Sequence, residues 1–396
     1  MGTSAMRVVY LNKVRMDTNI PAVNFSLLNG YGLALGGAEC ILITQKKDPH
    51  FTTTSLFANF ELEELPHFQV IMLPRTARFG IRTNQWFYLE AFRQIRQLHQ
   101  HRPLDAVISR DPGALPYLAW LKFHTQIPVF YQPHNFYLDL SIRPDLKPAN
   151  AKKYRWLERT FIPRMTGVLC LQEAQAQWYQ KYFPNHAITV AKPGLLRIKP
   201  PQFDRFRHKL IGYVGSLEWK KGVEFLFEAF RLLEDPDLKL VLIGGRDDRE
   251  IAPIQHHITV AGWQDRIHIT GWIPPVEVDH WLEKVAIGVI PLKNVFYNRY
   301  LTAPNKLFDY LSHGIPIVTA DLPAIRNFLP DERAAQFFTP ENPAEMAQGI
   351  RHILKTNAVY RQFTHAALQQ ADAYLWQKRG KLMLAEIHRL CHPAKG

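Results

Sequence analysis

Short apolar runs rich in Val and Ile alternate with longer amphipathic segments along the whole 396-residue chain. This rhythm restricts the fold tightly. A strand that is apolar at every position must be covered on both faces, and helical crossovers between parallel strands are the connections that do so. In the first half the strand candidates are "RVVYL", "ECILIT", "FQVIML", "DAVIS", "PVFYQ" and "GVLCL", with "ALPYLAWLKFH" and "AKKYRWLERTF" among the helices between them. The rhythm halts in "ITVAKPGLLRIKPPQFDRFRH" and restarts with strands at "LIGYVG", "LKLVLIG", "RIHIT", "AIGVIPL" and "PIVTA". The Pro-rich stretch from Lys192 to Pro201 therefore marks a boundary. The expected fold is α/β, with two Rossmann-like, doubly wound parallel-sheet domains facing across a cleft. Their limits are 1–195 and 208–376, with a linker at 196–207 and a helical region from about Pro343 to Leu390.

Ligands of open α/β sheets bind beyond the carboxyl ends of the strands, where loops and helix N-termini converge. One such end, "TAPNKLFDYLSHGIPIVTAD", carries a conflict. Pro304 suits a helix start, Leu307, Phe308, Tyr310 and Leu311 make an apolar stripe, and Gly314 stops the helix. Lys306 then falls in the first turn, where the helix dipole disfavours a cation, and a bound anion resolves the conflict. A second end, "LIGYVGSLEWKKGVEFLFEAFRLL", places Gly215, Ser216, Lys221 and Gly222 between a strand and a helix. Glycine lets backbone N–H groups approach a phosphate, and the lysine adds charge. The spacing is neither GxxxxGK[ST] nor GxGxxG; a plain turn with solvent-facing lysines fits it equally.

The chain carries 48 Lys and Arg against 35 Asp and Glu, a net charge of +13. An anionic membrane surface, nucleic acid or simple solubility would each account for the excess. No helix-turn-helix, zinc-finger or RNP pattern is present, so nucleic acid is not expected. Arg75, Arg78, Arg82, Arg93 and Arg96 cluster around Trp86, Phe87 and Leu89, as in an interfacial helix on anionic lipid, or in an amphipathic helix packed on a sheet. No run reaches the ~18 apolar residues of a membrane span. With no signal-peptide core, cytoplasmic residence is expected, peripheral on the membrane if the basic cluster meets lipid. The three cysteines lack metal-ligand spacing, and no metal is expected.

The succession from "LIGYVGSLEWKKG" to "PNKLFDYLSHGIPIV" resembles the nucleotide-sugar-binding domain of the GT-B glycosyltransferases of the glycosyltransferase 4 family. "DAVISRDPGALPYLAWL", "IPVFYQPHN" and "WLERTFIPRMTGVLCLQEAQAQWY" look like that family's first domain, and "YLWQKRGKLMLAEIHRL" like its closing helix. That closing helix, about 377–396, is then expected to pack back on the first domain.

The resemblance implies a retaining, metal-independent transferase with no cofactor, using a nucleotide sugar, UDP favoured, and a glycan, lipid-linked or small-molecule acceptor. Lys221 and Gly215 match residues at the donor diphosphate. Ser216 stands where the family often has arginine, and Lys220, Arg246 or Arg299 could substitute, with Arg299 first in rank. Asp309 matches the second acid of the family's EX7E pair, a ribose ligand, whereas Leu301 occupies the place of the first acid. Backbone amides around Pro304, Asn305 and Lys306 suit the diphosphate. His134 matches the histidine facing the reacting sugar and joins Lys221 as a catalytic candidate.

From their positions alone, Arg110 and Asp111 end the strand "DAVISR" as acceptor or orienting candidates, with helix capping by Asp111 the alternative. Glu158 reads as structural, pairing with a nearby arginine. A UDP-sugar 2-epimerase on the same fold and a non-catalytic binding module for anionic surfaces are the competing functions; a dinucleotide oxidoreductase is opposed by the missing GxGxxG.

Overall fold

In a computed structural model the described residues are 5–77, 80–143, 145–218, 221–330 and 332–392. They form two compact units, one of residues 1–194 and 376–396, the other of residues 195–375.

The first unit is built on seven parallel strands in the order β3-β2-β1-β4-β5-β6-β7. These are β1 (Arg7–Arg15), β2 (Glu39–Lys46), β3 (Phe68–Pro74), β4 (Ala106–Ser109), β5 (Val129–Tyr131), β6 (Gly167–Cys170) and β7 (Ile188–Val190). The central strands are buried at nearly every position, as the unbroken apolar runs require. The last helix of the chain, Trp376–Cys391, packs on the helix Pro21–Leu35 of this unit.

The second unit has six parallel strands in the order β10-β9-β8-β11-β12-β13. They are β8 (Leu210–Val214), β9 (Lys239–Ile243), β10 (Ile267–Gly271), β11 (Ile287–Ile290), β12 (Ile317–Ala320) and β13 (Ala335–Phe338). Both sheets therefore have a Rossmann-like order: the chain winds outward through three strands, returns to the centre and winds out the other way. The switch lies between β1 and β4 in one unit and between β8 and β11 in the other. Residues 196–207 are held within the second unit, where the Lys199 N–H donates to the Ser312 carbonyl at 2.7 Å and the buried Arg205 guanidinium donates to the carbonyls of Gln202, Leu282 and His313.

Candidate functional site

At the switch point of the second unit, β8 runs out into Gly215, which has φ +128. β9 is followed by Gly244, φ +139, where a Cβ would lie 2.2 Å from the Gly215 carbonyl oxygen, so only glycine lets the two loops pass. The Ser216 carbonyl accepts the Tyr213 hydroxyl at 2.6 Å.

Against this corner stands the helix Asn305–Ser312, the expected element, starting at Pro304 with no side-chain cap on its amides. Lys306 in its first turn is only 6% exposed. Its ammonium lies 3.6 Å from the Tyr213 ring centroid and beside Gly215, and finds no hydrogen-bond partner among the described residues. Burial, with the nearby Lys221 charge, pushes its pKa well below the usual lysine value. One turn on, Asp309 is pushed up to about 7, first by burial and then by Asp279, with Lys306 opposing. An unpaired ammonium, a half-buried Lys221 and an uncapped helix start thus converge on one corner, the charge pattern that suits a diphosphate. Among the described residues no group of three or more His, Cys, Asp or Glu side chains could hold a metal ion.

The other cation candidates differ in surroundings. Arg246 is ion-paired with Glu218 and Glu250. Arg299 is exposed on the short helix Phe296–Tyr300, with its guanidinium 5.3 Å from the Tyr300 ring centroid. Lys220 lies outside the described residues. Leu301 is buried, as an apolar side chain in the place of an acid should be. Lys293, which the sequence reading missed, is buried and ion-paired with Glu224. Its only sequence signal is a lysine directly after the apolar run "AIGVIPL".

In the first unit Arg110, Asp111 and His134 gather at the carboxyl ends of β4 and β5. Asp111 is buried; its carboxylate accepts the Lys13 N–H at 2.8 Å, so it ties the carboxyl-terminal part of β1 rather than capping a helix. The Arg110 guanidinium sits 3.7 Å over the Phe25 ring. The Nδ1 of His134 is buried with no hydrogen-bond partner among the described residues. Burial, and then the charges of Arg110 and Lys13, lower its pKa to about 3, so the imidazole is neutral at physiological pH. Sequence reading did not connect Lys13 with this group.

The arginine partner expected for Glu158 gives way to tyrosines. Its carboxyl accepts the hydroxyls of Tyr131 and Tyr179 at 3.0 and 2.7 Å and the Tyr137 N–H at 3.2 Å, while Arg143 contributes through charge. Complete burial raises its pKa to about 8.

Of the basic cluster, Arg75, Arg82, Arg93 and Arg96 are exposed, whereas Trp86 is half-buried and Phe87 buried against the sheet; Arg78 lies outside the described residues. No helix among the described residues is long and apolar enough to cross a membrane.

Both units have counterparts among known structures. Sucrose-phosphate synthase from Thermosynechococcus elongatus aligns over 98% of this chain and 100% of its own, at TM-score 0.73 and 14% identity. Anabaena Alr3699/HepE, solved with UDP and glucose, covers 96% of this chain and 98% of its own, at TM-score 0.70 and 14% identity. A glycosyltransferase from Rickettsia africae covers 99% and 100%, at TM-score 0.70 and 13% identity. No curated protein matches the chain in sequence. The two parallel sheets and these structural counterparts define the GT-B fold of glycosyltransferases. The model "Glycosyltransferase Family 4" matches residues 33–195 and "Glycosyl transferases group 1" matches residues 208–356, and the chain belongs to this family, glycosyltransferase 4.

Proposed function

We propose that the chain transfers a sugar from a UDP-sugar, with retention of anomeric configuration and without a metal, to a glycan, lipid-linked or small-molecule acceptor. The observation that carries the donor assignment is Lys306, a buried ammonium without a partner beside Gly215 at an uncapped helix start. A diphosphate supplies the missing counter-charge. Lys306, Lys221 and the amides of Asn305 and Lys306 would hold its oxygens, and protein cations would then stabilise the leaving charge that a metal stabilises elsewhere. Arg299 is the proposed second cation for the position of Ser216, since Arg246 is already held by two carboxylates. Asp309, in its ionised form, would accept the ribose hydroxyls. UDP is favoured because the related HepE structures contain UDP and UDP-glucose.

In the first unit the neutral His134 is suited to accept or donate a hydrogen bond to a sugar hydroxyl, not to act as a cation. Arg110 and Asp111 would orient the acceptor. The free thiols of Cys40, Cys170 and Cys391 suit a reducing compartment, in keeping with work in the cytoplasm.

Loss of one contact to developing charge commonly costs ~10²-fold in rate. Lys221→Ala should therefore reduce turnover of a UDP-sugar by about that factor while leaving circular dichroism and thermal midpoint in place. Unchanged turnover would remove Lys221 from the mechanism and with it the diphosphate assignment of its loop.

A further inference from the structure

We infer that one helical face of the first unit, formed by Thr83–His101, Leu115–Thr125 and Pro148–Phe161, docks on an anionic lipid bilayer with Trp120, Phe123 and Trp156 entering the headgroup region. The topology brings these helices together. They are the successive crossovers from β3 to β4, β4 to β5 and β5 to β6, and right-handed connections running outward through one half of a sheet lie on the same side of it. The middle helix packs against both neighbours, and the Trp120 ring lies 3.9 Å from that of Phe92 on the first.

The outward surface pairs aromatic rings with cations. Phe123 is 75% exposed, Trp156 59% and Trp120 45%, and with Leu89 they place four of the nine large exposed apolar side chains among the described residues on these three neighbouring helices. Each helix has its inner stripe occupied elsewhere, so these rings are not misplaced core residues. In Pro148–Phe161 the buried positions are Ala151, Leu157 and Glu158, and Trp156 points the opposite way between exposed Lys152 and Arg159, one turn to either side. In Thr83–His101 the exposed stripe runs Leu89, Arg93, Arg96.

Charge complementarity selects the partner. Exposed Arg93, Arg96, Lys152, Lys153, Arg155 and Arg159 face solvent, while the acids of the three helices are two only: Glu90, half-buried and ion-paired with Arg93, and Glu158, fully buried. A second copy of the same face would bring like charges together, which disfavours self-association. Protruding rings ringed by Lys and Arg match an interface of apolar chains under anionic headgroups. The basic cluster visible in the sequence is one edge of this surface; its aromatic centre comes from the two helices that follow.

The full chain should float with vesicles of phosphatidylcholine and phosphatidylglycerol at about three to one in about 0.1 M salt, and not with phosphatidylcholine alone. Lys152→Glu with Arg159→Glu should lower partitioning at least about a hundredfold, and Phe123→Ser with Trp156→Ser should also weaken it, with thermal midpoints unchanged. On the unaltered chain, vesicles with brominated acyl chains should quench tryptophan emission, and Trp156→Phe should remove part of that quenching. No donor or acceptor is used, so the result is separate from the proposed transferase reaction. Equal binding to neutral vesicles, wild-type binding by the variants, no quenching, dimerisation through these residues, or preference for an oligonucleotide over anionic vesicles would each overturn the inference.

Discussion

Lys306 links sequence, energetics and function most directly. An ammonium buried without a partner destabilises the unliganded chain, because its lost hydration is not replaced. Its pKa lies well below 10.5 in the folded chain, so the folded state binds fewer protons than the unfolded state at alkaline pH. Its contribution to stability therefore rises with pH across the window below 10.5. Lys306→Met fills the same volume without the charge. We expect the unliganded variant to gain ~2 kcal/mol, or about 4–8 °C in Tm for a unit of this size, to lose that alkaline rise, and to show no further shift with UDP. Thermal scans across pH, with and without UDP, read all three. A variant less stable than wild type that still responded to UDP would contradict both the desolvation argument and the diphosphate assignment.

At the scale of elements, glycine sets how the chain's last helix returns to the first unit. A Cβ on Gly380 of Trp376–Cys391 would lie 1.9 Å from the Gly32 carbonyl oxygen, and one on Gly36, the C-cap of Pro21–Leu35, 2.6 Å from the Gly380 carbonyl carbon. The backbones meet where no side chain fits. Gly380→Ala must push the helices apart, at a cost of ~1–3 kcal/mol or more. Limited proteolysis should then cut within or just before Trp376–Cys391 faster than in wild type, and unchanged cleavage would show that the crossing tolerates a methyl group.

This crossing also marks where sequence reading stopped. All eleven apolar runs became strands; in the central ones burial on both faces leaves an unbroken signal, and the edge strands β3 and β10 show through runs of seven and five residues. β7 and β13 escaped notice because both are short as well as at sheet edges, three and four residues long, and half-buried at all positions of one and at the two middle positions of the other. The helix Pro21–Leu35 was equally hard to see, with Gly30 and Gly32 in its interior and no capping side chain. In the candidate site, Lys306 was legible because it breaks a local rule, the dipole preference of a first turn. Lys293 and Lys13 break none, and only the fold shows what lies beside them.

For the molecule as a whole, two compact units with separate parallel sheets predict two unfolding events in one chain. The proposed diphosphate groups, Lys306, Lys221 and the start of Asn305–Ser312, all belong to residues 195–375. A ligand that binds only the folded form of one unit stabilises that unit by RT ln(1 + [L]/Kd), ~2.7 kcal/mol at a hundredfold excess over Kd. Calorimetry at such a UDP concentration should raise one transition and leave the other in place. Gly380→Ala should do the converse, lowering the UDP-insensitive transition, because Trp376–Cys391 belongs to the unit of residues 1–194 although it follows the other in sequence. The two perturbations therefore address different halves of a chain that crosses between its units twice. UDP raising the transition that Gly380→Ala lowers would place nucleotide binding in the first unit and overturn the assignment made from Lys306.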